Sequence, residues 1–398
     1  MKQHLVTKVA LASAAALSIV GAASDASAAD CSTLNPVYVS GSSAVKPVLA
    51  QVSKILAAAT TPVTIVYQSL GSCAGMDAIA NGTKVTATPI VWDANGVAGT
   101  CTIPATGTSS DIGVSDVFPT TCPNITLPAG QKDFLGPVQV MNFIAPLASS
   151  ETSISQQAAY AILGYGGTQY PVAPWIDTSF MFIRPDTSGT KQMIATALGL
   201  AASKWKGTVK PGSGDVLTAV STSTNANATI GILASDLADV NRDKVKILAY
   251  QHKGQSCGYY PDSTGTSFDK INVREGRYAI WGSLHIVTAV DAQNVPTSAN
   301  AKALVNVFTR TGLTADQKKT MIDAEAAAHV IPLCAMKVSR TTEVGAEASF
   351  QADEPCGCYY ESKANAAAGA SCKACPNGDG DCTGGSNTHC RYGYCEAK

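Results

Sequence analysis

Val37-Tyr38-Val39-Ser40-Gly41-Ser42-Ser43-Ala44-Val45-Lys46-Pro47-Val48-Leu49 is the stretch that decides the fold. Residues 37–39 form a short β-branched and aromatic run, and residues 40–43 form a turn. From there Val45, Val48, Leu49, Val52, Ile55 and Leu56 recur at helical spacing. The segment therefore predicts a strand, a Gly-Ser turn and an amphipathic helix, in that order. A turn in this place sits at a helix N-terminus, where backbone amides lack partners and the helix dipole is positive.

The same order recurs twice. Residues 63–67 read as a strand ending in Gly71-Ser72-Cys73-Ala74-Gly75, followed by Met76, Ile79 and Ala80 at helical spacing. Residues 180–183 read as another, ending in Thr187-Ser188-Gly189-Thr190, followed by a helix carrying Met193, Ile194, Ala197 and Leu198. Strands alternating with helices predict an α/β fold with largely parallel sheets. Ligands in such sheets lie beyond the carboxyl ends of the strands, where these turns fall.

Composition narrows the function. The chain has 398 residues, is 45% hydrophobic and only 14% charged, which excludes wholesale disorder. Its length suits two domains or one large discontinuous one. A formal charge of -1 argues against nonspecific nucleic-acid binding, which needs a clustered basic surface. Any bound anion must be held by a few local groups.

Residues 1–28 read as a signal peptide: Lys2 and Lys8 give a basic start, residues 9–23 are apolar or small, and Ala26-Ser27-Ala28 predicts cleavage before Ala29. Asp30 ahead of Cys31 is wrong for a lipid-modification site, and no later apolar run approaches the roughly 18 residues of a membrane span. An exported protein can form disulfides, and all 13 cysteines follow residue 28. The odd total leaves one thiol unpaired or paired elsewhere. Residues 81–111 read as an inserted hairpin or loop stapled by Cys101 and Cys122. From residue 351 the chain loses apolar periodicity and becomes rich in Gly, Asn and Cys, which predicts a separate small tail.

The three Ser/Gly turns can each present amides and a hydroxyl to a tetrahedral oxyanion, although most such turns merely cap helices. The third also carries Arg184 and Asp186 just ahead of Ser188-Gly189-Thr190. A guanidinium suits a buried oxyanion through bidentate hydrogen bonds. Asp116 ends a further strand-like run, Asp111-Ile112-Gly113-Val114-Ser115. A carboxylate beside an anion is useful when the anion carries a proton. Hydrogen phosphate can donate to it, whereas sulfate has no proton to give and is repelled.

These segments resemble, in order, the motifs of the periplasmic phosphate-binding proteins of ABC phosphate importers. The match runs through residues 40–47, Tyr67-Gln68-Ser69-Leu70-Gly71-Ser72, residues 111–116 and Arg184-Pro185-Asp186-Thr187-Ser188-Gly189-Thr190, with a weaker fifth at Ala228-Thr229-Ile230-Gly231-Ile232. It spans roughly residues 35 to 345. The resemblance implies a two-lobed α/β clamp of the type II periplasmic-binding-protein kind with chain crossovers near residues 138–143 and 278–287. The lobes implied are 29–140 with 285–350, and 141–284, followed by a Cys-rich tail at 351–398.

The resemblance also implies a dehydrated phosphate between the lobes. Its implied donors are Ser42, Ser43, Ser72, Arg184, Ser188, Gly189 and Thr190; Asp116 accepts the phosphate proton and Asp186 orients Arg184. Two departures stand out: Ala44-Val45 occupies positions where the family commonly offers a Thr hydroxyl, and Cys73 replaces a Ser and is expected to be buried or disulfide-linked.

Other chemistry is weaker. After His4, the remaining histidines, His252, His285, His329 and His389, show no paired metal-ligand spacing. Gly212-Ser213-Gly214 lacks the frame of a hydrolase nucleophile elbow and reads as a loop. Cys372, Cys375, Cys382, Cys390 and Cys395 fit disulfide staples better than zinc ligands in an exported chain. Asn377-Gly378-Asp379-Gly380-Asp381 lacks the downstream Glu of a calcium loop. The expectation is a periplasmic or extracellular, non-enzymatic phosphate-binding protein without cofactor or metal, whose partner is an ABC importer subunit or a sensor. The alternatives are an interaction protein that uses its Cys-rich tail and, third, a secreted phosphoester hydrolase.

Overall fold

The computed structural model describes residues 29–167, 169–383 and 388–397; the expected signal peptide lies outside them. The three strand-turn-helix units form as the periodicity predicts. Pro36–Gly41 leads into helix Lys46–Ala57, Thr64–Ser69 into Ser72–Ala80, and Met181–Ile183 into Gly189–Leu198. Val48, Leu49, Val52 and Leu56 bury the inner face of the first helix, and Pro47 sits in its first turn, where a missing N–H costs nothing.

Eleven strands of the described residues form one sheet. Its order is Ala98–Thr100, Ile90–Trp92, Thr64–Ser69, Pro36–Gly41, Ile112–Ser115, Trp281–Ala289, Gln131–Pro146, Ile230–Ala234, Met181–Ile183 and Thr208–Val209, with Val245–Ile247 also on Gln131–Pro146. Pro36–Gly41 is parallel to both of its neighbours, as Met181–Ile183 is to its own. Ile112–Ser115 and Ile230–Ala234 are buried throughout, as strands covered on both faces are.

The 16-residue strand Gln131–Pro146 ties the two halves together. Residues 131–140 pair antiparallel with Trp281–Ala289 in the first half, while residues 141–146 pair with Ile230–Ala234 and Val245–Ile247 in the second. One core gathers Val37, Val39, Val48, Leu49, Ile65, Leu304 and Phe308. A second gathers Ile183, Met193, Ile194, Leu198, Trp205, Ile230 and Ile232. The architecture is a two-lobed α/β clamp, and the carboxyl ends of its parallel strands face the cleft between the lobes.

Residues 81–111 do contain a hairpin, Ile90–Trp92 with Ala98–Thr100. Its staple differs from the expected one: Cys101 bonds Cys31 and Cys122 bonds Cys73. The bridges follow proximity across the sheet, joining the chain start to the hairpin and the second helix to the loop after Asp116. Cys257 is the free thiol and is exposed.

The tail is stapled by Cys358–Cys372, Cys375–Cys390 and Cys382–Cys395. The sulfurs of Cys375, Cys382 and Cys395 cluster within 4.8 Å, but all three are spent in disulfides and offer no thiolate to a metal. Asp379 and Asp381 accept the backbone amides of Cys390 and Asn377, so the acidic run closes turns. The tail is not a detached module. Cys356 bonds Cys334, Tyr359 donates to Asp323 on helix Ala315–Ala327 at 2.7 Å, and Arg274 pairs with Glu361 at 2.6 Å. Among the described residues, no helix is long and apolar enough to cross a membrane.

Candidate functional site

Asp116 stands just beyond strand Ile112–Ser115 and is buried. Its Oδ2 accepts the Ser42 hydroxyl at 2.6 Å and the Ser72 hydroxyl at 3.1 Å, while the Asp116 amide donates to Ser72 Oγ at 3.1 Å. Both serines come from helix-start turns: Ser42 also caps the Ala44 amide, and Ser72 opens helix Ser72–Ala80. The Tyr67 hydroxyl donates to the Ser42 carbonyl and fixes the first turn from below. Burial pushes the Asp116 carboxyl above its usual range, and the two serine hydrogen bonds oppose that rise. Its Oδ1 is buried and has no hydrogen-bond partner among the described residues.

Arg184 approaches from the second lobe, at the end of strand Met181–Ile183, and is only 4% exposed. Its guanidinium donates to Ser213 Oγ and, at 3.2 Å, to the Pro211 carbonyl. Its Nε is buried and has no partner among the described residues. Among the described residues, Asp186 forms no ion pair with Arg184. Its carboxylate is half exposed and pairs with Lys191 at 2.6 Å, one helical turn onward, so Ser213 and Pro211 hold the guanidinium instead.

The lobes meet at these turns. Cys73 N–H donates across the cleft to the Thr187 carbonyl at 3.1 Å, and the Ser43 and Ser213 hydroxyls lie 3.2 Å apart. Gly189 packs on Ser72 and Asp116 so tightly that an added Cβ would lie 2.8 Å from Asp116 Oδ2. Ser188, the residue preceding helix Gly189–Leu198, and Thr190 are both buried beside it.

A cavity of about 560 Å³ adjoins this contact and is lined by Ser43, Lys46, Arg184, Ser213 and Asp236, with apolar walls that include Leu70 and Leu237. Ser42, Ser72 and Asp116 thus cluster on one side of the cleft, and Ser188, Gly189 and Thr190 face them. Ser43 and Arg184 converge on Ser213.

Sequence reasoning missed Ser213 and Asp236. Ser213 is no loop residue: it opens helix Ser213–Ser221, whose N-terminus points at the cleft. Asp236 lies two residues beyond the wholly buried strand Ile230–Ala234, much as Asp116 directly follows its own strand. A carboxylate at the carboxyl end of an apolar strand was the signal that could have found it.

Comparison with solved structures places this fold. A structure described as a phosphate ABC transporter substrate-binding protein with bound phosphate, from Clostridium perfringens, aligns with a TM-score of 0.51 at 17% identity, covering 75% of this chain and 100% of the other. An ABC-type phosphate transport receptor from Vibrio cholerae aligns at 0.46 and 13% identity, covering 75% and 99%. The fold assignment rests on the first of these. Neither protein-family models nor curated protein sequences gave a match. The chain has the fold of that substrate-binding protein, with a disulfide-rich tail added.

Proposed function

We propose that this protein is an exported, non-enzymatic phosphate-binding protein that closes its two lobes on hydrogen phosphate and hands it to an ABC importer or a sensor. One observation carries the reading: among the described residues, Asp116 Oδ1 is a buried acceptor without a donor and Arg184 Nε a buried donor without an acceptor, brought in from opposite lobes. Buried polar atoms are rarely left so, and each costs on the order of 1–3 kcal/mol. A tetrahedral oxyanion with one proton satisfies both, giving its proton to Asp116 and an oxygen to Arg184. Ser43, Ser188, Thr190 and the Gly189 amide are the remaining donors, while Ser42 and Ser72 give their hydroxyl protons to Asp116 Oδ2. The six disulfides suit a periplasmic or extracellular setting.

The direct test is Asp116→Asn. An amide can donate to sulfate as well as accept from phosphate, so the variant should weaken phosphate binding and gain affinity for sulfate. Unchanged selectivity in a variant that folds would remove Asp116 from the site.

A further inference from the structure

Asp236 lines the same cavity as Ser43, Lys46, Arg184 and Ser213, is only 7% exposed, and forms no ion pair among the described residues. The charged and titratable groups that act on it or on Arg184 come from several elements. Asp116 follows strand Ile112–Ser115, Tyr67 lies on Thr64–Ser69, Lys46 opens the first helix, Asp215 lies on Ser213–Ser221, and Asp239 is on its own short helix. An ionised Asp236 would add a second buried carboxylate to a cleft that must also accept an anion, with Arg184 and Lys46 as the cations of its wall. Like-charge juxtapositions of that kind cost on the order of several kcal/mol. A carboxyl that stays neutral in a water-poor site becomes a hydrogen-bond donor instead.

We propose that Asp236 carries a proton in the ligand-bound cleft and donates it in a hydrogen bond to the bound oxyanion, which makes it a specificity-determining residue beside Asp116. The two carboxyls then have opposite duties: Asp116 accepts the proton of the anion and Asp236 offers one. Burial, with the Asp116 charge acting in the same direction, holds the Asp236 carboxyl well above the usual carboxylate range. The inference rests on the reading of the cleft as a phosphate site.

The test is phosphate affinity from neutral to alkaline pH for the wild type, Asp236→Asn and Asp236→Ser. An amide or a hydroxyl donates without titrating, so comparison with either variant cancels the titration of phosphate itself. At neutral pH Asp236→Asn should bind within about threefold of the wild type, and above the Asp236 pKa the wild type should lose about tenfold per pH unit relative to either variant. Two variants keep the test usable if one fails to fold. Parallel pH profiles, or an Asn variant that binds at least about tenfold tighter at neutral pH, would show an ionised or uninvolved Asp236 and overturn the proposal. Failure of the wild type to bind phosphate at any pH would instead remove the phosphate reading, and this inference with it.

Discussion

Gly189 of the second lobe rests directly on Asp116 of the first, and a methyl group on its Cα would come within 2.8 Å of the Asp116 carboxylate. The closed cleft therefore depends on a residue with no side chain at a position whose backbone angles any residue could adopt. Gly189→Ala should leave each lobe folded and hold the lobes apart. Overpacking at such a contact costs about 1–3 kcal/mol, so phosphate affinity should fall by roughly five- to a hundredfold. Small-angle scattering with phosphate should show a more open particle than the wild type gives.

Arg184 and Ser213 form a unit, since the serine hydroxyl holds the guanidinium proposed to bind the anion. Removing a buried charged partner costs about 2–5 kcal/mol, so Arg184→Ala should abolish measurable binding. Arg184→Lys should restore little, because a lysine cannot reach Ser213, the Pro211 carbonyl and the ligand from one planar group. Ser213→Ala should weaken binding by about 0.5–1.5 kcal/mol, the worth of one hydrogen bond. Calorimetric titration of the three variants measures this ranking.

The Cys73–Cys122 bridge joins the first turn of the Ser72 helix to the loop beyond Asp116. Replacing both cysteines by alanine should lower stability by roughly 2–4 kcal/mol, read from denaturant midpoints. Phosphate affinity should fall as well, because Ser72 and Asp116 lose the covalent tie that keeps their hydroxyl and carboxylate in register. The equivalent change at Cys375 and Cys390 in the tail should leave affinity unaltered.

Glu343 is half-buried, and its carboxylate accepts the Phe118 amide at 3.1 Å. Burial pushes its carboxyl from 4.5 up to about 7, despite opposing help from Phe118, His285 and Arg340. The folded state thus holds this proton more firmly than the unfolded chain. The resulting stabilisation is complete below about pH 4.5 and lost as pH rises to about 7. Across that window the loss should reach at most ~3 kcal/mol, and Glu343→Gln should remove it. Glu325, also pushed up to about 7, keeps a second contribution of the same sign in the variant. Unfolding midpoints between pH 5 and 8 check the slope.

The strand-turn-helix units were legible because their signals are local. Val48, Leu49, Val52 and Leu56 report one buried helix face, and a Gly-Ser turn between strand and helix has few other uses. Ser213 was illegible because its only local mark is a Gly-Ser-Gly run, which also describes an ordinary loop; tertiary packing brings its helix start to Arg184. Asp186 lies two residues from Arg184 in sequence, yet its carboxylate pairs with Lys191 in the first turn of the following helix. The cysteine pairing escaped too, since Cys31 meets Cys101 over a separation of 70 residues that only the sheet order brings together.

On the proposed reading the cleft selects a tetrahedral oxyanion by its proton. Calorimetric titration of the mature protein, stripped of bound anion, with phosphate and then with sulfate at neutral pH tests it most directly. Tight one-to-one phosphate binding with no response to sulfate is the predicted result. Equal binding of both anions, or of neither, would contradict it.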